Sequence, residues 1–241
     1  MKDTLIIIPA YNEEKSIGST LSNLLSLNLF ADILVINDGS RDFTENEAIR
    51  KSVDIITLPY NLGYGAAMQT GFKYAVSMGY QYAIQFDADG QHDPRDIRTI
   101  ITELKKGQNH IFIGSRFLGR GSFRLGLMKK IAISFFKFII KITTGAKISD
   151  PTSGLQGLSR QAFTYYAEMG NYPKDFPDAD VLIQMIYLGY NVGEFPANIM
   201  HRSSGESMHS GLKPVLYFVK ILLSIMIVLS RKKLLKEKCV L

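Results

Sequence analysis

A single cysteine stands among 241 residues, so no internal disulfide forms, and the chain fits a reducing compartment. That residue, Cys239, is third from the end, which excludes a prenylated CaaX terminus. The four histidines, His92, His110, His201 and His209, are scattered without zinc-ligand spacing, and no zinc is assigned. No RNA- or DNA-binding signature is present. Charged residues make up only 21% of the chain, and the net charge of +6 is carried by two cationic segments described below rather than by a nucleic-acid footprint. A long uninterrupted apolar run is missing too. The stretch Val215–Leu229 measures about 22 Å as a helix at ~1.5 Å per residue, against a bilayer core of about 30 Å, and Lys220 interrupts it. Met1-Lys2-Asp3 leads into a strand-like run with none of the regions of an export signal, so the expected location is the cytoplasmic side. Internal repeats and low-complexity linkers are absent as well.

What is present is a hydrophobic fraction of 46%, enough for one α/β domain with a sizeable core. The first half alternates. Strands are expected at Thr4–Ile8, Ile33–Ile36, Ile55–Leu58, Tyr82–Phe86 and His110–Ile113, and helices at Ser16–Leu27, Asp42–Lys51, Ala66–Met78 and Arg95–Lys105. Several of the strands are continuous apolar runs, as in strands covered on both faces. The repetition predicts a parallel sheet with right-handed crossovers. Ligands in such sheets collect at the carboxyl ends of strands, and the unusual residues all fall there.

The most informative stretch follows the fourth strand: Asp87-Ala-Asp89-Gly-Gln91. Strand alternation puts Asp87 and Asp89 on one side where the chain leaves the sheet. Two adjacent carboxylates repel unless a cation sits between them. Gly90 lets the chain turn, and Gln91 adds a neutral oxygen. Hard oxygen donors of this kind suit Mg²⁺ or Mn²⁺ that also holds substrate phosphates. The bland alternative is a solvated Asp-Gly turn. Asp38, after the second strand, reads either as an acceptor for a nucleobase N–H or ribose hydroxyl, or as an Asx-turn or helix cap. Glu13 and Glu14 read as ribose ligands or as dipole partners of the helix from Ser16. In Asn61-Leu-Gly63-Tyr-Gly65-Ala-Ala-Met68 a dinucleotide fingerprint would want glycine where Met68 stands; the glycines read as places of close backbone approach and tight helix packing.

The second half changes character near Ser115–Gly126. Residues 125–142 form an expected amphipathic helix in which Ile131, Ile133, Phe135, Phe136, Phe138, Ile139 and Ile140 interleave with Lys129, Lys130, Lys137 and Lys141. Such a helix suits the plane of an anionic membrane surface, or else an ordinary core. A loop at Ser149–Gly154, helices near Arg160–Met169 and from Pro177 to Leu188, and a short strand at Asn191–Phe195 follow. The chain closes with the apolar run and a cationic tail, Arg231–Lys238. The expected organisation is a domain over 1–210, with halves 1–115 and 116–210, followed by a membrane- or oligomer-contacting segment over 211–241.

The stretches IIIPAYNEE, ILVINDGSRDFT, NLGYGAAMQTGFKYA, FDADGQHDP, GSRF, DPTSGLQGLSR and HRSSGES occur in this order within residues 4–208. With them the chain resembles the family 2 glycosyltransferases of GT-A fold, and among them the polyprenyl-phosphate (dolichyl or undecaprenyl) glycosyltransferases. The resemblance implies a Rossmann-like, mostly parallel sheet with flanking helices and C-terminal amphipathic or apolar helices. It implies an inverting, Mg²⁺- or Mn²⁺-dependent transfer from a UDP- or GDP-sugar to a lipid phosphate by a peripheral or monotopic protein at the cytoplasmic face of the membrane. Pro9, Ala10, Tyr11 and Glu13 would line the nucleoside pocket with Asp38 facing the base. Asp87 and Ala88 would meet the nucleotide, and Asp87, Asp89 and Gln91 the metal. Arg202 would meet a phosphate, with Arg116 and Ser207 as further phosphate contacts, and Asp178 or Asp180 occupies the place of a catalytic base. The chain departs from the dolichol-type pattern at that acidic pair and at Met208-His209, where a lysine would follow the serine. The competing expectations are a transferase that extends a saccharide on a hydroxyl, a nucleotidyltransferase, and a non-catalytic membrane-associated nucleotide-binding scaffold. A second copy of the chain or a small membrane partner is the other contact open to the apolar run.

Overall fold

The computed structural model describes residues 2–119, 126–175, 177–200 and 213–231. Its strands are β1 (Thr4–Ala10), β2 (Asp32–Asn37), β3 (Asp54–Thr57), β4 (Tyr82–Gln85), β5 (Ile111–Ser115), β6 (Gln156–Ser159) and β7 (Val192–Pro196). They form one seven-stranded sheet in the order β3-β2-β1-β4-β6-β5-β7. All pairings are parallel except those of β6, which runs antiparallel between β4 and β5. The parallel half follows from its apolar runs: every residue of β1 is buried, with Leu5 and Ile7 facing one core and Ile6 and Ile8 the other.

The sheet is mostly parallel, as expected, and the antiparallel β6 is the strand that the apolar pattern did not mark. Gln156-Gly-Leu-Ser has no apolar run to announce a strand. It becomes one because it fits between two strands: a side chain at Gly157 would stand 2.1 Å from Ile100 of the overlying helix, so glycine admits that helix onto the sheet.

On one face lie α1 (Ile17–Ser26), α2 (Thr44–Ile49) and α4 (Asp96–Lys105), packed through Leu21, Leu24, Ala48, Ile97 and Ile100. On the other lie α3 (Tyr64–Ser77), α5 (Leu127–Thr144), α6 (Arg160–Ala167), α7 (Ala179–Tyr187) and α8 (Lys213–Ser230). Gly71 of α3, three residues beyond the glycine-rich Asn61–Met68 segment, approaches the sheet so closely that a Cβ there would meet Ile7 at 2.4 Å. The helix α8 joins the same core through Ile221, Ile225 and Val228 and packs on α7. No helix among the described residues is long and apolar enough to cross a membrane. Both α5 and α8 turn apolar side chains outward: Ile131, Phe138 and Ile142 on α5, and Val219, Leu223, Met226 and Ile227 on α8.

Candidate active site

The tips of β1, β2 and β4 sit side by side at the carboxyl edge of the sheet. Pro9 and Ala10 end β1, paired with Ile36 and Asn37 of β2, and the Asp38 amide donates to the Ala10 carbonyl at 2.9 Å. Tyr11 is exposed. The Glu13 carboxylate accepts from the Ser16 hydroxyl at the head of α1, and the Glu14 carboxylate accepts from the Phe43 amide at 3.1 Å. Asp38 is buried, and its two oxygens accept from the Leu62 and Gly63 amides at 2.7 and 3.0 Å. It therefore clamps the Asn61–Gly63 loop. Neither an Asx-turn nor a helix cap describes this arrangement. The next loop is equally tight: a Cβ on Gly65 would stand 1.9 Å from the Pro173 carbonyl oxygen, so the head of α3 docks onto the 173–175 segment.

Asp87 and Asp89 lie past the last residue of β4, Gln85, and Asp89 is in the turn that follows. Gly90 takes a positive φ of 71°, and the Asp89 carboxylate accepts from the Gln91 amide at 3.0 Å. The Asp87 carboxylate is held from several sides. Tyr64 donates its hydroxyl to Oδ1 at 2.9 Å, and that hydroxyl accepts from Gln85 Nε2 at 2.9 Å. His92 Nε2 stands 3.9 Å from Oδ2. The backbone of Gly154 lies so close that a Cβ there would be 1.8 Å from Oδ2. Burial and the neighbouring Asp87 charge push the Tyr64 phenol well above its ordinary value, so it stays a donor. His92 is buried, and desolvation lowers its pKa to about 4 against the opposing pull of Asp89; it is a neutral imidazole. Tyr64, Gln85, His92 and Gly154 carry no signal that sequence reasoning used, although each lies within or beside a stretch quoted above.

A further strand end, that of β5, leads to Arg116. Arg116 was expected to meet a phosphate. Its guanidinium is forked onto Asp150, with Nε and an Nη both at 2.7 Å, and the same Nη reaches the Thr152 hydroxyl at 2.6 Å. Asp150 is wholly buried. Burial of Arg116 lowers its pKa, but the bonds and charge of Asp150, with Asp178 and Asp87 behind, hold it above the ordinary value. Arg116, Asp87 and Asp178 thus share one electrostatic neighbourhood.

The acidic pair divides. Asp180 is 2% exposed and accepts from Ser224 of α8 and from the Asp178 amide; burial raises its pKa. Asp178 is half-buried and makes no side-chain cap to α7. Arg202 and Ser207 lie outside the described residues. The chain leading to them is laced to the acidic loop: the Met200 amide donates to the Gln91 carbonyl at 2.8 Å, and the Asn198 amide to Asp96 at 2.7 Å.

Among the described residues no group of three or more His, Cys, Asp or Glu side chains gathers as a metal cage. Asp87, Asp89 and Gln91 still fit Mg²⁺ or Mn²⁺, because those ions are commonly held by one or two carboxylates and completed by substrate phosphates and water.

Residues 5–166 match the profile of Glycosyl transferase family 2. This chain belongs to that family. It is 31% identical over 223 residues to a UDP-N-acetylglucosamine–dolichyl-phosphate N-acetylglucosaminyltransferase of Methanococcus voltae, covering 83% of this chain and 88% of that one. It is 27% identical over 214 residues to an undecaprenyl-phosphate mannosyltransferase of Micrococcus luteus, covering 86% and 87%. The fold matches glucosyl-3-phosphoglycerate synthase of Mycobacterium tuberculosis, solved with Mn²⁺, UDP and its glucosylated product, with a TM-score of 0.69 at 16% identity over 93% of this chain and 80% of that one. The family 2 chain is accordingly a glycosyltransferase of GT-A fold, and the acidic turn after β4 is its candidate donor site.

Proposed function

We propose that this glycosyltransferase moves a sugar, with inversion, from a nucleotide diphosphate donor to a polyprenyl phosphate at the cytoplasmic surface of a membrane. The observation that carries the reading is the placement of the Asp87–Gln91 turn in one electrostatic neighbourhood with Arg116 and Asp178, in a chain whose relatives named above act on dolichyl and undecaprenyl phosphates. A divalent cation, when bound, would neutralise charge growing on the departing diphosphate. Asp87 and Asp89 would hold it, with Asp87 fixed by Tyr64 and Gly154. The tips of β1 and β2 would receive the nucleoside. The loop clamped by Asp38 is tied to the tip of β2.

The acceptor phosphate oxygen is already anionic, so attack on the anomeric carbon needs no strong general base. Asp180, buried against Ser224, supports this: it is occupied in fastening α8. The rival reading, a saccharide hydroxyl as acceptor, would call on Asp178. Membrane contact is supported by the outward apolar strips of α5 and α8, flanked by Lys130, Lys141 and Lys220; such strips suit an interfacial position rather than a span.

The test is sugar transfer over a panel of UDP- and GDP-sugars with Mg²⁺ or Mn²⁺, with and without undecaprenyl phosphate, using the wild type and Asp178→Asn. Wild-type transfer to the lipid phosphate that survives in Asp178→Asn within about threefold supports attack by an already anionic oxygen, whereas a loss on the order of 10²–10⁴ refutes base-free attack, and absent lipid transfer with transfer to a saccharide that Asp178→Asn abolishes supports the hydroxyl reading. Full turnover in a chelator would overturn the metal-assisted route.

A further inference from the structure

Glu194 lies in β7, outside every stretch that marks the family, yet its carboxylate gathers three donors from one loop. They are the Ser149 amide at 2.8 Å, the Ser149 hydroxyl at 2.9 Å and the Asp150 amide at 3.0 Å. In the β5–β7 ladder Glu194 is in register with Ile113, two residues before β5 ends at Ser115 and passes to Arg116. The Ser115 and Ser149 hydroxyls share a bond at 2.6 Å, and the Arg116 amide donates to Asp150 at 2.9 Å. Strand edge, loop and strand tip therefore meet at one knot. Its outcome is the orientation of Asp150, whose carboxylate takes the planar fork of Arg116. The other end of the loop is fastened separately, by the Ser153 hydroxyl on the Gly114 carbonyl at 2.6 Å, so the Gly154 wall against Asp87 does not depend on Glu194.

A carboxylate receiving the Ser149 and Asp150 amides holds both peptide planes that flank Ser149, and the second of these is the plane from which Asp150 leaves, so its backbone is anchored on that side. Asp150 is buried with no room to reorient. We infer that Glu194 is a positioning residue for transfer: through Ser149 and Asp150 it sets the guanidinium of Arg116 on the Asp150–Gly154 loop, which holds Arg116 at Asp150 and Thr152 and lies against the Asp87 carboxylate at Gly154. This rests on the preceding reading only in its choice of acceptor.

The experiment is a double-mutant cycle on the full chain with Glu194→Gln, Arg116→Lys and both. Glutamine keeps the volume but turns an NH₂ toward donor amides, and lysine keeps the charge but loses the fork. In Glu194→Gln, kcat for transfer to undecaprenyl phosphate is expected to fall about 10–100-fold, the size of effect produced by ångström-scale misplacement. The dissociation constant of UDP with Mn²⁺ stays within about threefold, and the double variant falls no more than about twofold below Arg116→Lys alone, because coupled residues are not additive. Wild-type kcat in Glu194→Gln, additive losses, or nucleotide affinity and melting temperature falling in step with kcat would each overturn the inference. Should Glu194→Gln not fold, Ser149→Ala removes one of the three donors; a loss of about 2–5-fold that vanishes in the Arg116→Lys background supports it, and full activity or an additive loss refutes it. If the wild type transfers nothing to the lipid phosphate, the proposed acceptor is wrong, and the same cycle is read on donor hydrolysis, which separates the two failures.

Discussion

Gly154→Ala isolates what holds the Asp87 carboxylate. A methyl group at this position would lie 1.8 Å from Oδ2, 2.6 Å from Cγ and 2.9 Å from Oδ1 of Asp87. Carbon and oxygen come into contact at about 3.5 Å, so the carboxylate must retreat by more than an ångström. Gly154 is not among the glycines with positive φ, and alanine takes its backbone without strain. The obstacle is the end of a side chain rather than backbone, so rotation of Asp87 relieves it and the fold survives. The retreat breaks the 2.9 Å bond from Tyr64, a contact to a charged group worth about 1.5–3 kcal/mol, and moves a metal-holding oxygen off its position. Misplacement on this scale costs on the order of 10²-fold in kcat/KM. The assay is steady-state transfer with Mn²⁺, alongside calorimetric titration of UDP and thermal melting. The melting temperature should fall by about 3–12 °C, the stability of that one bond at ~2–4 °C per kcal/mol for a chain of this size, and Asp87→Asn should abolish any further effect of Gly154→Ala on turnover. Wild-type turnover in Gly154→Ala would refute the reasoning, as would a collapse in melting temperature beyond that range. Gly65→Ala provides the contrast: its Cβ meets the backbone oxygens of Pro173 and Lys174 at 1.9 and 2.7 Å, so stability should fall further.

Three further outcomes are expected. Tyr64→Phe removes the donor to Asp87 together with the acceptor of Gln85 and should weaken Mn²⁺-dependent UDP binding about tenfold, the usual scale for a residue that orients a metal ligand; unchanged affinity in titration would contradict the assigned role. His92 has a folded pKa near 4, lowered by burial from 6.5, so the unfolded chain takes up the proton first as pH falls. The neutral form stabilises the fold above pH 6.5, and that contribution, about 3 kcal/mol at most, is lost as pH drops toward 4; urea titrations should show a shallower acid slope in His92→Gln, and an identical slope would count against it. Replacing Phe138 and Ile142, both exposed on α5, with Glu should cut binding to phosphatidylglycerol vesicles at least about tenfold, since each apolar side chain contributes ~1.5–3 kcal/mol when buried; undiminished flotation would remove α5 from the membrane contact.

Local sequence determined the parallel half of the sheet, because continuous apolar runs and 3.6-residue periodicity are properties of short windows. It also marked the acidic turn, where Asp, Gly and Gln act within five residues. Contacts between distant segments left no such trace. The strand β6, four residues long, exists only because β4 and β5 flank it. Asp178 and Asp180 look interchangeable along the chain, and packing of α8 on α7 alone sends Asp180 to Ser224. Arg116 carries the same charge whether it faces a ligand or a buried carboxylate; the loop held by Glu194 decides that it meets Asp150. Chemistry confined to one loop is written in its residues, whereas partners separated by tens of positions are chosen when the core closes and burial makes an unpaired polar group too costly to leave.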